Sequence, residues 1–188
     1  MLAWVTAQDF AILDAIQALC ASPTLDAVMP VITTLGNFGA IWALIGCGLL
    51  LSPRYRKFGI GIFVALGLSL IIGSLIMKPL FGRMRPFNSN PSIALLIPGP
   101  TDSSFPSGHT MSAFAAATVL CFIPRKPLVK IAALTGAALI AASRLYLYVH
   151  YPTDILGGIV FGIACGLIAW FIVQKIFARP DNTTAASV

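Results

Sequence analysis

Glutamate is absent from this 188-residue chain, and its six acidic residues are all aspartates. Charge of either sign is scarce, since Asp, Lys and Arg together make up 10% of the sequence, against about a quarter in an average soluble domain. That scarcity excludes a soluble globular protein and a disordered chain, both of which rely on charge for solvation. The sequence pI is near 9.5, but no basic run is long enough to track a phosphate backbone, which excludes a nucleic-acid-binding domain. No Lys or Arg precedes Arg54, so the start does not read as a cleaved secretory leader, which needs a positive first region. The four cysteines (Cys20, Cys47, Cys121 and Cys165) lie in apolar runs without CxxC spacing and read as small buried hydrophobes. Only two histidines occur, and neither they nor the scattered aspartates show metal-ligand spacing. No metal and no cofactor are expected.

Hydrophobic residues are abundant, at 58% of the chain with a mean hydropathy of +0.92. The class that remains is an integral membrane protein. A crossing helix needs about 20 apolar residues, because 1.5 Å per residue must cover about 30 Å of hydrocarbon. Stretches of that kind run over 27–53, 58–77, 103–124, 128–146 and 155–174. The expected fold is all-α, a multi-pass transmembrane helical bundle of five spans. Residues 3–20 carry Asp9, Asp14 and Gln17 beside apolar residues at helical spacing. They suit an amphipathic helix lying on the membrane, with a sixth span as the alternative. Residues 1–179 are expected to form one membrane-embedded domain, and 180–188 a polar disordered tail.

Because the spans alternate in direction, the connections sort onto two sides. One side holds Arg54, Arg56, Lys57, Arg125, Lys126, Lys130, Lys175 and Arg179, and the other holds Lys78, Arg83, Arg85 and Arg144. The richer side is expected to be cytoplasmic, which places the C-terminus inside and the second side outside, facing the periplasm or cell exterior. In the last span Gly158, Gly162 and Gly166 recur every fourth residue. Small residues at this spacing let helices approach closely, either within the bundle or across a homodimer face.

The four outward cations sit where spans end, and ionisable residues at membrane level are functional suspects. Residues 78–86 read K-P-L-F-G-R-M-R-P, residues 106–109 read P-S-G-H, and residues 143–154 read S-R-L-Y-L-Y-V-H-Y-P-T-D. Both histidines lie in these segments, and all three segments fall on the same expected side. In this order and spacing they resemble the signatures of the type 2 phosphatidic acid phosphatase superfamily, which also includes the vanadium haloperoxidases. The resemblance covers 78–154 and matches at every motif position. It implies an integral membrane lipid phosphatase working through a phosphohistidine.

The residue chemistry agrees. Lys78 offers a point charge, and Arg85 and Arg144 offer planar forks that take phosphate oxygens in pairs. Ser107 and Gly108 fall at an expected helix start, where free N–H groups favour an anion. His150 is the candidate nucleophile, and Asp154, four residues on, can hold one ring N–H and aim the other nitrogen. His109 is the candidate general acid, then base. The opposite protonation states of the two histidines predict a bell-shaped pH profile. Arg83, outside the signature, is left between a substrate contact and a lipid-headgroup contact. Asp102 reads as a loop or capping residue.

Residues 86–106 form the one long connection. Its apolar run 93–97 either covers the site, docks on the bilayer, or packs on the bundle as a short helix. A site at a membrane surface suits a lipid phosphate, with its tail left in the bilayer. Undecaprenyl diphosphate ranks first, then phosphatidic acid or phosphatidylglycerophosphate. The alternatives are phosphoryl transfer to an acceptor other than water, and a catalytically silent membrane protein.

Overall fold

The computed structural model describes residues 2–90 and 92–178; the expected polar tail at 180–188 lies outside them. The described residues form helices and turns without a strand. The helices are α1 (Leu2–Cys20), α2 (Pro23–Leu35), α3 (Ala40–Leu50), α4 (Arg56–Ser69), α5 (Lys78–Phe81), α6 (Pro86–Ser89), α7 (Gly108–Cys121), α8 (Pro127–Tyr146) and α9 (Pro152–Phe177). A π-helical segment, Leu70–Met77, joins α4 to α5.

Among the described residues, three stretches are long and apolar enough to cross a membrane: Arg56–Ser89, Pro127–Tyr146 and Pro152–Phe177. A fourth is available if Pro23–Leu35 and Asn37–Leu50, bent by 48° at Gly36, count as one broken span. These four coincide with four of the five expected stretches. The fifth, 103–124, holds α7, whose 14 residues rise only about 21 Å. Helix α7 is the hub of the bundle, contacting α4, α8 and α9. Met111, Ala113, Ala115, Ala116, Ala117 and Val119 are all fully buried. They point in every direction around the helix, so α7 has no polar stripe and little lipid to meet.

The small residues of α7 let its neighbours come close, and the glycine ladder of α9 faces it. A Cβ on Gly158, Gly162 or Gly166 would stand 2.9, 2.5 or 2.6 Å from the carbonyl oxygens of Ser107, Met111 and Ala115. Of the two uses open to the ladder, the structure shows packing inside the bundle. At the end carrying the 52–57 and 122–127 turns, Trp170 is sandwiched between Phe58 and Phe122, with ring centroids 5.1 and 4.9 Å away.

The opposite end carries a second, smaller core. Helix α1 brings Leu13, fully buried, against Tyr148 and Tyr151, with Phe10 and Ile93 beside them. Leu95 and Ile97 pack with Tyr146, Leu147 and Val149. The apolar run 93–97 therefore packs on the bundle, but as irregular chain and not as a helix. Asp14 accepts from the Tyr148 hydroxyl at 2.7 Å, and Gln17 donates to the Tyr146 carbonyl at 2.6 Å. The polar residues of α1 are thus anchored on the α8–α9 connection.

Candidate active site

Three local devices place the signature residues. The π-helical segment changes the helix register just before Lys78, and such segments often accompany functional sites. Gly82, at φ +55°, ends α5 by donating its N–H to the Lys78 carbonyl at 3.0 Å. This left-handed conformation favours glycine, and it turns the chain so that Arg83 and Arg85 return toward the bundle. Ser107 caps α7, its Oγ accepting from the Thr110 N–H at 3.4 Å and the Thr110 hydroxyl at 3.0 Å.

His150 is buried in the α8–α9 connection. Its Nδ1 lies 3.4 Å from Asp154 Oδ2, and its Nε2 lies 3.2 Å from Arg85 Nη1. A carboxylate accepts and a guanidinium donates, so Nδ1 carries the proton and Nε2 the lone pair. Asp154, fully buried in the first turn of α9, also accepts from the Tyr151 N–H at 2.9 Å, from Arg83 Nη1 at 2.6 Å and from the Ser104 hydroxyl. Burial pushes the His150 imidazole down, to about 3; Asp154 opposes this, while Arg85 and Arg144 add to it. The ring is therefore neutral.

This makes a direct prediction. In a His109→Asn variant His150 is the one remaining histidine, and its ring nitrogens should show the neutral form by NMR at pH 5. Titration near 6.5 would contradict the burial. The same shift makes folding pH-dependent. The unfolded histidine, with an ordinary value of 6.5, binds a proton below that pH and the folded one does not. Stability is therefore full above pH 6.5 and declines toward pH 3.

Arg85 is buried and its donors are engaged by Val149 O at 2.7 Å, Asp102 O at 2.8 Å and Asp102 Oδ1 at 2.6 Å. Lys78 pairs with the other oxygen of Asp102 and lies 4.0 Å from where a Cβ on Gly108 would stand. Asp102, read from sequence as a loop or capping residue, instead bridges two signature cations. Burial raises its carboxyl, but Lys78 and Arg85 outweigh that and hold it at about 2. Its side chain is 54% exposed, so this ionised carboxylate lies at the open edge of the cationic cluster. Arg144 donates from Nη1 to Thr33 at 2.6 Å, while its buried Nε has no hydrogen-bond partner among the described residues. His109, half-buried, places Nε2 2.9 Å from Asn37 Oδ1 at the break between α2 and α3.

The structure thus gathers Lys78, Arg85, Arg144, Ser107, Gly108, His109, His150 and Asp154 at one end of the bundle. Sequence reasoning did not single out Asn37, Thr33 or Ser104, and it read Asp9 only as a polar residue of the first helix. Only Ser104 had a nearby signal, lying three residues before the P-S-G-H serine. A cavity of about 590 Å³ opens beside the cluster, with Lys78, Asp102, His109, Asn37 and Ser112 at its polar end. Ala43, Phe63, Leu66 and Leu70 form apolar walls that lead away between α3 and α4. A cavity of about 640 Å³ on the flank of the bundle is lined by apolar residues such as Ile45 and Leu120 and contains none of these groups.

A cationic, histidine-bearing centre at one end of an all-helical, membrane-spanning bundle defines the class of protein. The chain belongs to the PAP2 superfamily, whose family model matches residues 58–178. It is 32% identical over 139 residues to an undecaprenyl-diphosphatase of Sulfolobus acidocaldarius, the match covering 74% of this chain and 66% of that protein. It is 30% identical over 145 residues to a lipid A 4'-phosphatase of Bacteroides thetaiotaomicron, covering 72% and 64%. The chain thus spans just under two thirds of the length of these two relatives. The fold matches the crystal structure of a transmembrane PAP2-type phosphatidylglycerolphosphate phosphatase of Bacillus subtilis with a TM-score of 0.77 and 29% identity, covering 94% of this chain and 89% of that one.

Proposed function

We propose that this protein is a metal-independent lipid phosphatase that removes a phosphate from a membrane lipid phosphate or diphosphate. The observation that carries the lipid assignment is the cavity of about 590 Å³ that reaches from Lys78 and His109 to apolar walls. A phosphate can sit at the cations while its hydrocarbon leaves between α3 and α4. Undecaprenyl diphosphate ranks first, in keeping with the Sulfolobus relative, followed by phosphatidic acid and phosphatidylglycerophosphate.

Incoming phosphate displaces the Asp102 carboxylate from Lys78 and Arg85 and takes up the unpaired Nε of Arg144. Ser107 and the Gly108 N–H complete the cradle at the start of α7. Nε2 of His150 attacks phosphorus; a P–N bond forms and the bond to the leaving oxygen breaks. His109 protonates that oxygen, and Asp154 stabilises the charge arriving on the His150 ring. Water then attacks the phosphohistidine, His109 takes its proton, the P–N bond breaks and inorganic phosphate leaves.

In the membrane, α7 provides the fifth crossing as the shielded centre of the bundle, and α1 lies on the surface against the α8–α9 connection. The excess of Lys and Arg at the other end puts the site outside and the C-terminus in the cytoplasm. A Ser103→Cys variant in a background without the native cysteines should therefore react with a membrane-impermeant thiol reagent from outside intact cells. Reaction only from the cytoplasmic side would reverse the orientation. The activity itself is tested by phosphate release from the three lipids by purified protein in detergent with a chelator present. Turnover should persist in the chelator; its loss, restored by added metal, would end the metal-independent reading.

A further inference from the structure

Arg83 lies outside the three signatures, yet the structure commits its guanidinium closely. Nη1 donates to Asp154 Oδ1 at 2.6 Å and to the Thr153 hydroxyl at 2.7 Å, and Nη2 donates to Asp9 Oδ2 at 2.6 Å. The guanidinium also stacks 4.0 Å from the Tyr151 ring centroid. Asp9 comes from α1, 74 residues earlier in the chain, and is 2% exposed. Its Oδ1 accepts the Thr153 N–H at 3.0 Å, and its Oδ2 accepts the Thr153 hydroxyl at 2.6 Å. Asp9 thus satisfies a free N–H in the first turn of α9 and grips Arg83 at the same time.

Asp154 explains why this matters. Its Oδ2 serves His150, Ser104 and the Tyr151 N–H, whereas Oδ1 meets Arg83. Without the guanidinium, Oδ1 would be a buried anionic oxygen without its ionic partner, and nothing on that side would hold the carboxylate plane with Oδ2 toward His150. A planar fork bridging two carboxylates fixes that plane as a point charge cannot.

We propose that Arg83 and Asp9 are positioning residues: Asp9, by docking α1 onto the start of α9, locks Arg83, and Arg83 sets the rotation of the Asp154 carboxylate that orients His150. The first helix then belongs to the catalytic apparatus as well as to the membrane surface. The proposal rests on the phosphatase reading above.

The test is steady-state phosphate release from undecaprenyl diphosphate, phosphatidic acid and phosphatidylglycerophosphate by the full chain in detergent. It compares wild type, Asp9→Asn, Arg83→Gln, Arg83→Lys and the Asp9→Asn/Arg83→Gln double variant. Outer partners that orient metal-ligating histidines are typically worth about 10- to 100-fold, and the same scale is expected for a carboxylate that orients a reacting histidine. Arg83→Gln and Asp9→Asn should each lower kcat by about that factor, with KM within about twofold. The double variant should fall no further than Arg83→Gln alone, because both act through one carboxylate. Arg83→Lys should stay impaired, as it keeps the charge and loses the fork. Asp9→Asn is isosteric and retains an acceptor for Thr153, so it answers the question even if Arg83→Gln fails to fold. A raised KM with unchanged kcat in Arg83→Gln, together with wild-type kinetics in Asp9→Asn, would make Arg83 a substrate contact and overturn the proposal. Wild-type kcat in both single variants would overturn it while leaving the phosphatase reading intact. Failure of the wild type itself to release phosphate from any of the three lipids would overturn both.

Discussion

His150→Ala should reduce phosphate release by about 10⁴-fold or more, the loss typical of removing a nucleophile from a coupled catalytic set. The imidazole is neutral, its lone pair is on Nε2, and Arg85 is the group facing that nitrogen. Alanine leaves the cationic cluster intact, so substrate should still bind while phosphoryl transfer stops. Asp154→Asn should fall almost as far. The amide would present N–H groups where Asp154 now accepts from the Tyr151 N–H and faces His150 Nδ1. A ring that accepts at Nδ1 carries its proton on Nε2 and cannot attack; the same tautomer error costs about 10⁴-fold in serine proteases. Rapid quench of wild type with labelled substrate should trap an acid-labile, alkali-stable phosphoprotein that is missing in His150→Ala. Equal turnover by wild type and His150→Ala would assign the activity elsewhere.

Gly162→Val should remove most folded protein. The first added carbon would stand 2.5 Å from the Met111 carbonyl oxygen and 3.0 Å from Phe114 Cβ. Both neighbours belong to α7, and the nearest is backbone, so no side chain can swing aside. Relief requires α7 and α9 to separate along the interface, where Gly166 and Gly158 would also place a Cβ only 2.6 and 2.9 Å from a carbonyl oxygen. We expect a loss of about 3 kcal/mol or more, at or above the upper end for overpacking a core. It would be read as a lower melting temperature and a smaller monodisperse peak in detergent. Gly48→Ala is the control, because a Cβ there meets nothing within 4 Å, and it should match wild type. Each helix start carries part of the site: α7 begins at Gly108 and His109, and α9 holds Asp154 in its first turn. Surviving Gly162→Val protein should therefore also lose activity. Normal stability would mean that the glycine ladder is not the packing face described above.

Much of this molecule was legible from local sequence. Helix class follows from the length of apolar runs between charges, and four of the expected stretches reappear as candidate spans. The proposed catalytic set could be named from sequence because its members lie within short motifs, and parts of their geometry are set by a single turn. Asp154 reaches His150 because the two are four residues apart across a helix start, and Ser107 caps the helix that it precedes. Helix α7 departs from the expected stretch 103–124, since it runs only over Gly108–Cys121 and is enclosed by α4, α8 and α9.

Long-range partners could not be read this way. Asn37 meets His109 across 72 positions, Thr33 meets Arg144 across 111, and Asp9 meets Arg83 across 74. Asp102 was visible as the one acidic residue in the loop before P-S-G-H, but its pairing with Lys78 and Arg85 depends on where that loop returns. By itself the sequence determined the membrane class, through long apolar runs between few charges, and the superfamily, through three signatures that resemble it, and it named the residues proposed for the reacting centre. Only the tertiary structure decided which carboxylates hold which cations, which face the glycine ladder of α9 packs against, and that α1 reaches the centre at all. Those contacts arise from the close approach of remote helices, and no local periodicity encodes them.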